Sequence, residues 1–354
     1  MDPLFKNIWE VAKHLSQKGK VTTSTRTPFF IEKEILTSGV EDEDTEATPR
    51  NIIKHPENKP LAVIEKSALY VRESYEDLYD LIINQVDGNF KYKLLVTGTS
   101  GVGKSCFLIY LLIQLFHDFE DVTIILQSIQ NEYFYCFQSS DFSVGSYDDF
   151  SAYFRSSKTW YLADGILSPK LVPAKTVVAL SAKGVYKDEF QEFDKILVRQ
   201  LYLPPWSLEE LLVCQKHIFQ NVPKDIILNL YDKVGGVPRY VLRRADDALQ
   251  CCKDPRMPDE KDIIKRALGR VATALQQVKN FDDLILCVTE DAYYIQYSSR
   301  LVHRWPDPFY DSYYLQWASR YIYDNIQERL EKQSSNDLLE RIQRMKNFPS
   351  ARGI

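Results

Sequence analysis

Residues 98 to 105 read Gly98, Thr99, Ser100, Gly101, Val102, Gly103, Lys104 and Ser105, a complete G-x-x-x-x-G-K-S run. These residue types at this spacing suit one task, the grip on a chain of phosphates. Glycines let the backbone fold back and bring its N–H groups against phosphate oxygens with no Cβ in the way. A helix opening at Lys104 would add the partial positive charge of its N-terminus, which Cys106, the first residue past the motif, shares. Lys104 would reach the β and γ phosphates, and the Ser105 hydroxyl would sit on a magnesium ion that bridges them. The motif therefore implies a nucleoside triphosphate with Mg2+. ATP is the default base, because the chain has no guanine-selecting Asn-Lys-x-Asp run.

Such a loop needs an acid at the end of another core strand to hold the magnesium shell. Asp164 closes the apolar run Trp160-Tyr161-Leu162-Ala163-Asp164 and is followed by Gly165. It is the candidate second metal residue after Ser105; the plainer alternative is an Asp-Gly turn at a strand end. Thr176 to Ser181 reads as a buried strand ending in a hydroxyl, so Ser181 is a candidate γ-phosphate contact, or else only the start of a loop with Lys183 and Gly184. Arg239 follows Gly235-Gly236-Val237-Pro238, a turn with sharp entry into a helix because Pro suits a first-turn position. Its guanidinium could point at phosphate from a lid, or be a surface arginine beside Arg243 and Arg244. Lys104, Asp164 and Arg239 are thus the candidate catalytic residues.

These residues need elements to hold them. Tyr92 to Thr97 reads as a strand before the loop, and Cys106 to Phe116, apolar on nearly every face, as a buried helix after it. A helix over Tyr75 to Ile83 leads in. Asp121 to Gln127 and Tyr133 to Gln138 suggest a hairpin at a sheet edge. Ile196 to Leu203 reads as a further strand, stopped by Pro204 and Pro205, which cannot donate to a central ladder. Ser207 with Glu210 three residues on forms a capping box, and Leu208, Leu211, Leu212 and Ile218 are spaced for one buried helix face. Tyr313 to Arg329 reads as a helix after the Pro306-Asp307-Pro308 break. The expected fold is α/β: a P-loop NTPase sheet of AAA/STAND-like type, mostly parallel, with a helical lid and a small C-terminal α+β or helical region.

In order along the chain, Arg72-Glu73-Ser74-Tyr75-Glu76-Asp77-Leu78-Tyr79, Thr97 to Ser105, Tyr161-Leu162-Ala163-Asp164-Gly165, Pro204-Pro205-Trp206-Ser207-Leu208-Glu209-Glu210-Leu211 and Gly235-Gly236-Val237-Pro238-Arg239-Tyr240 resemble the P-loop NTPase module of Crinkler effectors and their relatives, the retrotransposon-hot-spot proteins. Ser299 to His303 with Trp317-Ala318-Ser319 is a further echo. The resemblance spans roughly residues 70 to 325. It implies a modular secreted effector acting in a host cell, with the nucleus as one destination. The first residues show no ubiquitin-like header with a Leu-Phe-Leu-Ala-Lys-type motif, so delivery by that family's usual route is not expected. No acid cluster with a following Glu-x-Lys appears, so nuclease activity is not expected either. Many P-loop ATPases place Glu directly after the strand-end Asp; here Gly165 stands there, which points to binding before fast hydrolysis.

With 354 residues, 45% hydrophobic and 26% charged, the chain can bury one substantial core and a second smaller one. A net charge of −5 argues against general attraction to nucleic acid, though not against a local basic patch such as Arg300, His303, Arg304 and Trp305. Cys106, Cys136, Cys214, Cys251, Cys252 and Cys287 show no CxxC spacing and read as reduced thiols. No run of about 18 apolar residues exists to cross a membrane, and no secretory h-region opens the chain. The expected layout is a polar extension and acidic linker at 1–58, holding one amphipathic helix near Phe5 to Leu15, the NTPase core at 59–200, the lid at 201–252, and a helical or winged-helix-like region at 253–354. Leu284 to Thr289 and Tyr293 to Tyr297 are its candidate strands, and Leu338 to Met345 a terminal helix that could dock or pair subunits. Two function classes follow: an ATPase, with oligomerisation supplying a missing arginine in trans, or a nucleotide-gated module with little turnover that opens a partner surface.

Overall fold

The computed structural model describes residues 3–19, 32–34, 50–84, 93–185, 187–196, 199–251, 259–278 and 298–331. In chain order these form α1 (Pro3–Gly19), β1 (Glu32–Glu34), β2 (Arg50–Lys54), β3 (Ala68–Val71), α2 (Glu73–Asn84), β4 (Lys93–Gly98), α3 (Lys104–Asp118), β5 (Ile124–Ser128), β6 (Phe134–Phe137), β7 (Phe142–Gly145), α4 (Ser151–Phe154), β8 (Trp160–Asp164), β9 (Lys175–Ala179), α5 (Ala182–Val185), α6 (Gln191–Asp194) and β10 (Arg199–Leu203). There follow α7 (Leu208–His217), α8 (Lys224–Val234), a π-helical turn Arg239–Arg243, α9 (Arg244–Gln250), α10 (Glu260–Gln277), α11 (Ser298–Leu301), β11 (Val302–Pro306), β12 (Tyr313–Trp317) and α12 (Arg320–Glu331). The principal sheet has seven strands in the order β10-β4-β9-β8-β5-β6-β7. Strands β4, β9, β8 and β5 run parallel, and β6 and β7 extend the edge antiparallel. The expected α/β class holds, and the loop of Gly98 to Ser105 stands between β4 and α3, where a phosphate grip requires it.

The chain divides into two compact units: Met1–Val96 with Lys104–Leu180 and Glu189–Gln200, and Thr97–Gly103 with Ser181–Asp188 and Leu201–Ile354. In the first, α3 is buried on nearly all faces, from Phe107 to Ile113 and again at Leu115 and Phe116, which explains its unbroken apolar sequence. Tyr75 of α2 meets Phe107 edge-on at 5.5 Å. Strands β8 and β9 are buried along nearly their whole length, with apolar cores Trp160–Ala163 and Val177–Ala179, because a parallel sheet is covered on both faces. At the near end of β4 the buried Lys93 ammonium donates to the Val172 and Ala174 carbonyls, both at 2.7 Å, and to the Thr176 hydroxyl at 3.0 Å. The expected edge hairpin is β5 with β6, joined by β7, a strand that Phe142-Ser143-Val144-Gly145 is too short and polar to announce. The amphipathic helix near Phe5 to Leu15 is α1, with Phe5, Ile8, Val11, Ala12 and Leu15 buried. It packs on α3, stacks Phe5 on Tyr135 at 4.0 Å and donates from the Trp9 indole to the Gln138 carbonyl at 2.8 Å.

In the second unit the capping box is made in both directions. The Glu210 N–H donates to Ser207 Oγ at 3.1 Å, and the Ser207 N–H to Glu210 Oε2 at 2.8 Å. The buried face of α7 differs from the spacing argument: Leu211, Val213 and Cys214 are buried, while Leu208, Leu212 and Ile218 are half-covered. The turn of the helix is set by what it packs on, and α7 packs against α8 and the π-helical turn. The helix expected over Tyr313 to Arg329 is a strand followed by a helix. Its first five residues, Tyr-Tyr-Leu-Gln-Trp, pair with β11, Trp305 opposite Tyr314 and Val302 opposite Trp317, because cross-strand aromatic and β-branched contacts favour the ladder. The acidic run, Leu284 to Thr289, Tyr293 to Tyr297 and Leu338 to Met345 lie outside the described residues, as do Cys252 and Cys287. Cys106, Cys136, Cys214 and Cys251 are free thiols. Among the described residues no helix is long and apolar enough to cross a membrane.

His303 on β11 is buried, and loss of hydration alone pushes its imidazole down to about 4. A depressed histidine contributes stability above its ordinary range that is lost as pH falls through the lowered value. Stability of the second unit should fall by up to about 3 kcal/mol between pH 6.5 and 4. His303→Gln should flatten that decline, as read from thermal or urea unfolding across this pH range.

Candidate nucleotide-binding site

The first unit contributes the end of β8 and the start of α3. Asp164 is buried there, and its Oδ1 accepts the Ser105 hydroxyl at 2.7 Å. Burial raises the Asp164 carboxyl above the usual carboxylate range, against the opposing hydrogen bond from Ser105 and the charge of Lys104. The structure thus brings Asp164 to Lys104 and Ser105, although 59 residues separate it from Ser105 in the sequence. Buried beside one hydroxyl and one ammonium, the carboxylate fits a divalent cation, whose charge would offset the desolvation. Among the described residues no group of three His, Cys, Asp or Glu side chains is arranged to hold a metal. Magnesium here would therefore rest on Ser105, Asp164, water and the phosphates themselves, the usual manner of this small, strongly hydrated ion. Gly165 has φ +73°, and a Cβ there would come within 3.1 Å of the Ile129 side chain. A side chain at position 165 would carry the strain of a positive φ and would ask the exposed Ile129 to give by a few tenths of an ångström.

The second unit holds the turn itself. Gly98, Gly101 and Gly103 take φ of 135°, 95° and 102°, which side-chain-bearing residues rarely adopt. The close approaches are as demanding: a Cβ on Gly98 would lie 2.6 Å from the Leu203 carbonyl oxygen, and one on Gly101 2.9 Å from Arg239 Cβ. Three partners then fix the turn. The buried Trp206 indole donates to the Val102 carbonyl at 2.8 Å, the Arg304 N–H donates to Thr99 Oγ1 at 2.8 Å, and Arg239 Nη1 donates to Ser100 Oγ at 3.2 Å. Sequence reasoning singled out Arg239 but missed Trp206 and Arg304. The Pro-Pro-Trp run signalled a strand stop without showing where the indole points, and Arg304 acts through its backbone, which no residue type reveals.

Gly236 explains the Gly-Gly pair, since a Cβ on it would fall 1.8 Å from the Trp206 carbonyl oxygen. The Trp206 N–H donates to the Gly236 carbonyl at 2.8 Å. Arg239 opens the π-helical turn and its guanidinium bond to Ser100 lies at the surface. Ser181 lies beyond β9 with its Oγ accepting the Gly184 N–H at 3.3 Å, a local cap on α5. Cys106 is half-buried in the first turn of α3.

No family model matches the chain. Among curated proteins it is 31% identical over 193 residues to Crinkler effector protein 15 and to Crinkler effector protein 16, both from Phytophthora infestans. The match takes in 52% of this chain and spans 30% of the length of those relatives. Similar solved structures include the Thermotoga maritima RuvB Holliday junction branch migration motor, 14% identical over 73% of this chain and 95% of that one, with a TM-score of 0.38. The Aeropyrum pernix ORC2 protein, in ADPNP and ADP complexes, is 10% identical over 82% and 87%, with a TM-score of 0.37. AMPPCP-bound DnaA from Aquifex aeolicus is 12% identical over 80% and 94%, with a TM-score of 0.35.

Two outcomes test this geometry. Asp164 carries a raised folded value, so the stability it adds is present below the carboxylate range and lost as pH rises. At pH 7 Asp164→Asn should raise the melting temperature of the nucleotide-free protein by about 2–4 °C. Thr99→Val removes the acceptor of the Arg304 N–H and should lower stability by about 1–3 kcal/mol in urea unfolding, with Thr99→Ser restoring it.

Proposed function

We propose that this chain binds a nucleoside triphosphate, ATP by default, with Mg2+, and hydrolyses it slowly as the NTPase module of a Crinkler-like effector. The observation that carries this reading is the Ser105 to Asp164 hydrogen bond beside Lys104, following a turn in which Gly98 and Gly101 have no room for a Cβ. Backbone N–H groups of Gly101 to Ser105 would cradle the phosphates, with Gly98, Thr99, Ser100, Val102 and Cys106 shaping the turn and its helix. Lys104 would neutralise the β and γ phosphates. Ser105 and Asp164 would hold the cation, which when bound draws charge from the oxygens of the transferring group. Arg239, held at Ser100 in the second unit, is suited to stabilise charge on the γ-phosphoryl group, and Ser181 to contact it after releasing its local cap.

Turnover is the finer question. Gly165 supplies no base to the attacking water. This favours slow hydrolysis and keeps open the second reading, a nucleotide-gated module whose lid position follows the bound nucleotide and exposes a partner surface or assembles copies. A homo-oligomer would supply an arginine in trans. Magnesium follows from the Ser105 and Asp164 pair, secretion and action in a host cell from the Crinkler likeness, and all belong to the same proposal.

Calorimetry decides binding. Lys104→Ala should weaken ATP by at least about 10- to 100-fold while leaving the circular dichroism spectrum unchanged; equal affinity in both proteins would overturn the proposal. Phosphate release decides turnover. A slow magnesium-dependent rate lost in Asp164→Ala supports the ATPase, whereas tight binding with no release in either protein supports the gated module.

A further inference from the structure

The second unit carries a group of arginines that the nucleotide reading leaves largely unused. Arg244 opens α9 with its guanidinium over the Tyr240 ring, 5.3 Å from the centroid. Arg300 on α11 reaches the Arg270 carbonyl on α10 at 3.5 Å, and α10 packs against α9 and α11. Arg239 lies on the adjoining π-helical turn. Burial first, then the positive charges of Arg270, Arg239 and Arg300, pull the Arg244 guanidinium below its ordinary value. Among the described residues none of these four arginines forms an ion pair. Of the acids on the same helices, Asp262 pairs with Arg266 at 2.8 Å, buried Asp246 accepts the Gln250 amide at 3.1 Å, and Asp247 and Glu260 are exposed. A chain of net charge −5 therefore gathers four cations from four elements at one place, where they repel one another.

We propose that Arg239, Arg244, Arg270 and Arg300 form a second anion site that takes the phosphodiester backbone of a nucleic acid. All four are arginine, whose planar fork binds phosphate oxygens two at a time. They stand on packed helices whose axes are roughly 8–10 Å apart, a span that a repeating line of phosphates matches and one small anion does not. The contact of the Arg244 guanidinium with the Tyr240 ring restricts that side chain, so less freedom is given up on binding. The chain's overall negative charge repels a polyanion elsewhere and confines it to this face. Contacts of this kind position the nucleic acid and read no sequence.

The test is fluorescence anisotropy of the full chain with labelled duplex DNA and RNA of about 20 base pairs, titrated between about 50 and 200 mM salt. Binding should be independent of sequence and steeply dependent on salt. The double variant Arg270→Gln, Arg300→Gln should weaken it about 10-fold or more and reduce the log–log salt slope by about two, one for each phosphate that is no longer neutralised. Arg270→Gln, a change at an exposed residue, should give about half that slope change should the double variant fold poorly. Arg266→Gln, which touches the Asp262 pair, should leave the slope unchanged. Absence of binding at the lower salt, an unaltered slope in the variants, or equal competition by polyglutamate of the same charge would overturn the proposal. ATP affinity, measured on the same variants, should stay at the wild-type value, so failure here is separate from failure of the nucleotide reading.

Discussion

A phosphate-binding turn works only if its backbone N–H groups meet the ligand before any side chain does. Gly98, Gly101 and Gly103 meet that constraint by their positive φ, and Gly98 and Gly101 also by the lack of room for a Cβ. Everything close to the turn is arranged to keep it in that shape. Trp206 holds the Val102 carbonyl, β11 holds Thr99 through a main-chain N–H, and Arg239 holds Ser100. A turn of glycines left to itself would have many conformations, so the cost of ordering it for an anion is met in advance by these contacts.

The same logic of advance arrangement governs the carboxylate. Asp164 is kept buried at the end of a strand whose apolar residues bring it to the start of α3. That location makes its charge expensive without a counterion and so makes it receptive to one. Gly165 follows it at positive φ against Ile129, so the strand end carries one carboxylate and no second acid directly after it.

Much of this was legible along the chain, for local reasons. The strand β8 appears with the bounds read from the sequence because an apolar run closed by Asp-Gly has one simple reading, and the Ser207 capping box is a contact between residues three apart. The edge hairpin was visible in two β-prone runs, whereas β7 was not. Misreadings came where distant partners decide. Tyr313 to Trp317 is compatible with a helix until β11 lies beside it, and the apolar residues of α7 do not say which of them α8 will cover. Polar, proline-bearing sequence around α1 gave no sign that Phe5 stacks on Tyr135 or that Trp9 reaches Gln138.

By itself the sequence determined the chemistry that the turn can do, since glycine, lysine and serine at those spacings act through covalent geometry and short-range backbone preference. It also determined the order of strands and helices around that turn. Only the tertiary structure decided which acid meets Ser105, which indole and which main-chain N–H clamp the turn, and that Arg239, Arg270 and Arg300 lie within reach of the charge of Arg244. Those pairings join residues far apart in the chain, and their energies arise from burial and distance in the folded protein, quantities that a linear order of residues does not contain.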